Sequence, residues 1–185
     1  MIHTPAQALE FVRKHGIVTM TKSSRPSLVD AIAGPVKGSW WGHPKGGLIF
    51  RLADTLHDSP DVLSTKLVEG KVTFVDRALW PALAKVVTDT GRRRATMSSL
   101  PDAAKILLKK VERQGRVRME RESKAAGLLL ERSQLAHCGS EHTEKGSHTT
   151  VLTSWKRIFK SDTMARARRL KLPEALELLG LATVP

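Results

Sequence analysis

Apolar residues recur at helical spacing in some segments of this chain and in short β-rich runs in others, with glycine, proline and polar clusters between them. Ala8, Leu9, Phe11 and Val12 form one stripe, so Pro5 to His15 is predicted as a helix that Pro5 opens and Gly16 stops. Ile17-Val18-Thr19-Met20 reads as a short strand. Pro26-Ser27 opens a second helix through Ile32, which Gly34-Pro35 ends. Gly46 to His57 is a third, with Leu48, Ile49, Leu52, Ala53 and Leu56 on its apolar face. Val62–Leu67 and Lys71–Val75 flank Val68-Glu69-Gly70 and predict a hairpin, with Gly70 as the left-handed residue of a type I turn plus bulge. Asp76 caps a further helix through Leu79, Leu83, Val86 and Val87.

The second half repeats much of this order without repeating the letters. Leu100-Pro101-Asp102 starts a helix with Ala104, Leu107, Leu108 and Val111 on one face, terminated by Gly115. Arg116 to Met119 is a short strand, and Glu122 to Arg132 a helix expected to bury Ala125, Leu128 and Leu129. Leu135–Thr143 and Ser147–Ser154 flank Glu144-Lys145-Gly146 as a second hairpin. A cationic helix with Arg166, Arg168, Arg169 and Lys171 follows, then Pro173–Leu179, closed by Gly180.

Helix, strand, helices and hairpin in that order is the chain order of a winged helix-turn-helix, the hairpin being the wing. The expected fold class is α+β, mostly helical, with tandem winged helix-turn-helix modules and short β-hairpin wings. The expected divisions are a first module over 1–90, a basic and polar linker over 91–99, a second module over 100–155 and a basic helical tail over 156–185. An unrelated α+β fold with two hairpins is the alternative.

Charge narrows the partner. The 185 residues carry 31 Lys and Arg against 18 Asp and Glu, a formal net charge of +13. Residues 1–90 hold +3 of it and residues 91–185 hold +10. Such an excess opposes compaction and points to a polyanion, duplex DNA first. The single cysteine, Cys138, excludes an intramolecular disulfide and a four-cysteine zinc module. No apolar run reaches the 18 or so residues that span a bilayer, and the N-terminus lacks the basic start and apolar core of a signal peptide. A cytoplasmic protein with no membrane association and no cofactor is expected.

Within this frame particular residues are candidates for nucleic-acid contact. A recognition helix enters a groove while the wing rests on phosphate. In the first half that gives Lys45 and Arg51 at Gly46–His57, with Lys71 on the wing; in the second it gives Lys124 and Arg132 on Glu122–Arg132, with Lys145 at the wing tip. Ala126 and Gly127 would allow close backbone approach. Arg92-Arg93-Arg94 is a phosphate strap or a solvated connector. Ser39-Trp40-Trp41-Gly42-His43-Pro44-Lys45 holds two of the four tryptophans of a chain with no tyrosine. Trp40 and Trp41 beside His43 and Lys45 could stack on a base or plug a gap between helices.

Metal and catalytic chemistry find less support. A three-residue loop at Glu144–Gly146 places His142 opposite His148 and on one strand face with Cys138. That set matches no zinc-finger spacing, so no metal site is assigned. Gly-x-Ser-x-Gly, His-Glu-x-x-His and a phosphate loop are all absent, and no catalytic residue is assigned.

Two stretches, Ala8-Leu9-Glu10-Phe11-Val12 with Gly16 and Pro26-Ser27-Leu28 with Ala31-Ile32-Ala33-Gly34, resemble the start of bacterial winged-helix proteins related to the crosslink-repair DNA glycosylases. Leu130-Glu131-Arg132 with His137, His142-Thr143-Glu144, Gly146, His148 and Trp155 is similar to a pattern in the same group. The resemblance covers about half the chain and implies tandem winged helices and DNA contact. Catalytic members use a Gln-x-Gln or Gln-x-Asp pair; Gln7, Gln114 and Gln134 are followed by neither, so glycosylase activity does not carry over. The residues favour a non-catalytic winged-helix DNA-binding protein connected with repair or transcription. A nucleic-acid-processing or glycosylase-like repair enzyme and an RNA- or protein-interaction adaptor are the alternatives.

Overall fold

The computed structural model describes residues 1–142 and 148–181, with His142 and His148 described as backbone only. The protein is α+β and mostly helical, with two small antiparallel sheets of three strands each. The chain divides into two compact units, Met1–Trp80 and Pro81–Pro185.

In the first unit, α1 (Pro5–His15) begins with a reciprocal cap. Thr4 Oγ1 accepts from Gln7 N at 3.3 Å, and Gln7 Oε1 accepts the Thr4 N–H at 3.2 Å. Gly16 ends α1 with φ 71°, and a Cβ there would lie 2.8 Å from Leu79 Cδ1, so both the turn and the packing require glycine. Next come β1 (Ile17–Thr19), α2 (Leu28–Ala33), whose N-cap is Ser27, and α3 (Gly46–Asp58). The stripes read from the sequence form the core: Ala8, Val12, Leu28, Ile32, Ile49, Leu52 and Leu56 pack with Val18 and Phe74. Each of these side chains larger than alanine contributes about 1.5–3 kcal/mol by leaving water.

β2 (Val62–Val68) and β3 (Lys71–Asp76) form the hairpin, and β1 adds to the far edge of β3, giving the order β1-β3-β2. The turn differs from the expectation. Val68 pairs with Lys71 across only two residues, Glu69 at φ 50° and Gly70 at φ 68°. Two positive φ values make a type I′ turn, whose twist matches the strands. The extra residue sits instead in β2, where the register shifts between Thr65 and Val68.

The second unit opens with α4 (Trp80–Thr88), begun at the boundary residue, then α5 (Thr90–Ser98) and α6 (Asp102–Gln114). β4 (Arg116–Arg118), a 3-10 turn at Arg121–Ser123 and α7 (Lys124–Arg132) follow. β5 (His137–His142) and β6 (His148–Thr153) pair, and β4 adds to β6, so the order β4-β6-β5 repeats that of the first sheet. α8 (Trp155–Ile158), α9 (Ser161–Arg169) and α10 (Leu172–Leu178) close the described chain. One helix, α7, stands here where the first unit has α2 and α3. Among the described residues no helix is long and apolar enough to cross a membrane.

Three expectations are corrected here. The segment expected as a linker is α5, and the boundary between units falls at Trp80/Pro81 and not at residue 90. Asp89 caps α5 by accepting from Arg92 N at 3.0 Å, which offsets the poor helix propensity of Gly91 and Thr90. Over its described residues, 156–181, the expected tail is packed, since Phe159, Ala167, Ala175 and Leu179 are buried. α7 buries Ala126, Gly127, Leu130 and Glu131, while Ala125 and Leu129 are exposed and Leu128 is half-buried. The helix turns the face that carries Glu131 inward because Gly127 lets it approach Met119: a Cβ there would overlap Met119 Sδ.

Candidate nucleic-acid interface

The sequence around the tryptophans folds into a tight turn ahead of α3. Trp40–Gly42 is a 3-10 turn, with Ser39 Oγ accepting from Trp41 N at 3.4 Å and His43 N donating to Trp40 O at 3.1 Å. Gly46 enters α3 so closely that a Cβ would lie 3.0 Å from Trp41 O and 3.1 Å from Trp40 O. Trp40 packs against the core, whereas Trp41 is 66% exposed. The two indoles stack at 4.0 Å between ring centroids and 24° between planes. Phe50, one turn into α3 and 50% exposed, sits 5.9 Å from Trp41. Of the pair, Trp40 is the packed ring and Trp41 the exposed one.

Two cations expected at this interface are engaged inside the protein. Lys45 Nζ donates to Ile32 O at 2.9 Å, near the last turn of α2, where a cation meets the negative end of the helix. His43 Nδ1 accepts from Lys45 N at 3.1 Å, so His43 fastens the turn. Lys71 Nζ lies 2.9 Å from Glu69 Oε2 and also donates to Lys22 O. Glu69 Oε1 accepts from Ser24 N at 2.9 Å. Lys71 first, and then Ser24, hold the Glu69 carboxyl down to about 2. Lys71 and Glu69 thus tie the hairpin turn to the loop after β1. Arg51, by contrast, is exposed, and its guanidinium bonds to nothing among the described residues.

The arginine run divides three ways on α5. Arg93 is a clamp: its guanidinium donates to Val87 O at 3.0 Å, to Leu135 O at 3.1 Å and to Glu112 Oε1 at 2.5 Å. It ties α5 to the end of α4, to α6 and to the segment before β5. Arg92 is half-buried, with Nη1 buried and unpartnered; burial, then Arg93, lowers its pKa. Arg94 alone is exposed without a partner among the described residues. Of the three arginines expected at phosphate, Arg93 is engaged within the protein, Arg92 is half-buried and Arg94 is exposed.

On α7, Lys124 and Arg132 are exposed and bond to nothing among the described residues. Ala126 and Gly127 face inward, so neither gives backbone approach to a ligand. Lys145 and the turn Glu144–Gly146 lie outside the described residues. His142 pairs with His148 in the expected register, but their side chains lie outside the description as well. Cys138 packs against the core opposite Leu152. Among the described residues no three His, Cys, Asp or Glu side chains gather to hold a metal ion.

A dense run of cations in the sequence, of which only the part from Arg166 to Lys171 was expected, follows β6. Residues 155–171 carry Lys156, Arg157, Lys160, Arg166, Arg168, Arg169 and Lys171 against Asp162 alone. All seven are exposed, and none makes an ion pair among the described residues. A cavity of about 320 Å³ between α4, α5, α8 and α9 has Lys85, Lys156 and Arg168 in its wall with Asp89. Phe50 was missed because it belongs to an otherwise polar face with Gly47, Arg51 and Asp54; its isolation there is the signal. Lys156, Arg157 and Lys160 were missed because α8 is a single turn, although the run of one-sign charge was visible. Comparison with known families, curated proteins and solved structures finds no match.

Proposed function

We propose that this protein binds nucleic acid, with duplex DNA as the principal partner, and that both units are winged-helix modules without catalytic machinery. The observation that carries the proposal is the α8–α9 surface, where seven cations face solvent with a single acid among them. Like charges at that density repel one another, and phosphates relieve the repulsion while releasing their own counterions. Lys124 and Arg132 on α7 extend the set of unengaged cations in the same unit.

The winged-helix reading rests on the two sheets. In each, a strand that follows a helix joins the outer edge of a later hairpin, and a helix precedes that hairpin directly. α3 and α7 are then the recognition helices. The test is a titration of the whole chain against duplex DNA, single-stranded DNA and RNA of equal length at 50 and 200 mM salt. Duplex DNA should bind, with log K falling linearly in log[salt]. Absence of binding at 50 mM to all three would contradict the proposal.

A further inference from the structure

We propose that Trp41 and Phe50 form a stacking platform for an unpaired nucleobase, so that the preferred partner carries single-stranded residues beside a duplex. This rests on the nucleic-acid reading above and specifies the substrate class. Three observations carry it.

The first is the exposure itself. An indole and a phenyl ring stand 5.9 Å apart, 66% and 50% exposed, while the other exposed large apolar side chains among the described residues, Met1, Ile106, Leu129 and Leu178, are aliphatic. The second is rigidity. Trp41 rests on Trp40, which is half-buried and packed against the core, and the turn is closed by Ser39, by the His43 N–H to Trp40 O bond and by the close approach of Gly46. A ring ordered before binding loses little entropy when a base stacks on it. The third is charge. Residues 31–53 contain Lys37, Lys45 and Arg51 and no carboxylate, and Arg51 follows Phe50 on the exposed face of α3. A base brings a phosphate with it, and Arg51 is the unengaged cation beside the platform.

Every base presents a π face, so the platform selects unpaired bases without selecting sequence. The test compares a blunt 20-base-pair duplex with the same duplex bearing a six-nucleotide single-stranded extension. Tryptophan fluorescence and anisotropy are followed for the whole chain, Trp41→Ala, Trp41→Phe and Arg168→Ala. The extended DNA should bind about 5- to 150-fold more tightly than the blunt duplex, the range expected for one stacked base. Trp41→Ala should abolish that ratio with its melting temperature little changed, Trp41→Phe should retain part of it, and Arg168→Ala should weaken both ligands while keeping the ratio. Equal affinity for the two DNAs, or a ratio that survives Trp41→Ala, overturns the platform while leaving DNA binding intact. Failure to bind either DNA overturns both. Concentration-dependent dimerisation abolished by Trp41→Ala would assign the patch to a second copy of the chain and overturn the platform as well.

Discussion

Trp41 lies on Trp40 with ring centroids 4.0 Å apart, yet one indole belongs to the core and the other to solvent. The pair sets an exposed ring on one that is half-buried against the core. The two substitutions should therefore separate. Trp40→Ala should lower stability by about 2 kcal/mol, below the range for a wholly buried aromatic because Trp40 is half-buried. Trp41→Ala should cost no more than about 1 kcal/mol, the worth of an aromatic pair. Urea unfolding of both variants gives the comparison; equal losses would contradict the division of labour.

Arg93 and Arg94 are neighbours with opposite assignments. Arg93→Ala leaves Glu112 and two carbonyls without their donor and should cost about 2–3 kcal/mol of stability. Arg94→Ala should leave stability within about 0.5 kcal/mol. Thermal melts of the two single variants decide it, and a destabilised Arg94→Ala would mean that the exposed guanidinium has a structural partner.

Gly127→Ala adds a methyl group where α7 meets Met119 and Leu152. Met119 is flexible and can move, so a loss of about 1–3 kcal/mol is expected in place of unfolding. A second substitution, Met119→Ala, should recover part of the loss. A neutral Gly127→Ala would contradict the inward orientation of this helix face.

Glu69 makes the hairpin turn sensitive to acid. Its carboxyl is held at about 2 in the fold against 4.5 for the unengaged group. The stabilisation by Lys71 and Ser24 is therefore fully present above about pH 4.5 and is lost as the pH falls toward 2. Melting temperature followed from pH 6 to pH 3 should drop less in Glu69→Gln than in the parent protein. Parallel curves would show that the Glu69–Lys71 pair contributes nothing.

Much of the fold was legible because glycine and proline punctuate it. Pro5 and Gly16 bound α1, Ser27 and Gly34 bound α2, and the stripe Ile49, Leu52, Leu56 turns α3 inward, each by local chemistry that no tertiary contact overrides. α5 was not legible, since Thr90, Gly91 and three arginines have neither an apolar stripe nor strong propensity, and the helix depends on Asp89 and on the Arg93 clamp. The face of α7 was misread because Glu131 is charged and yet buried, while Leu129 is apolar and exposed. For the candidate site, the tryptophans announced themselves by rarity. Which cations are engaged internally was hard to see, because the carbonyls that Lys45, Lys71 and Arg93 reach, those of Ile32, Lys22 and Leu135, lie 13, 49 and 42 residues away in the chain.

Binding through the α8–α9 surface is tested most directly by the salt dependence of duplex DNA affinity in the parent protein and in a variant with Arg166, Arg168 and Arg169 changed to alanine. These side chains are exposed and make no ion pairs among the described residues, so the variant should melt as the parent does. The plot of log K against log[salt] should flatten by about 0.9 for each phosphate contact removed, and so by about 2.7 if all three arginines meet phosphate. An unchanged slope in a folded variant would contradict the assignment of this surface to nucleic acid.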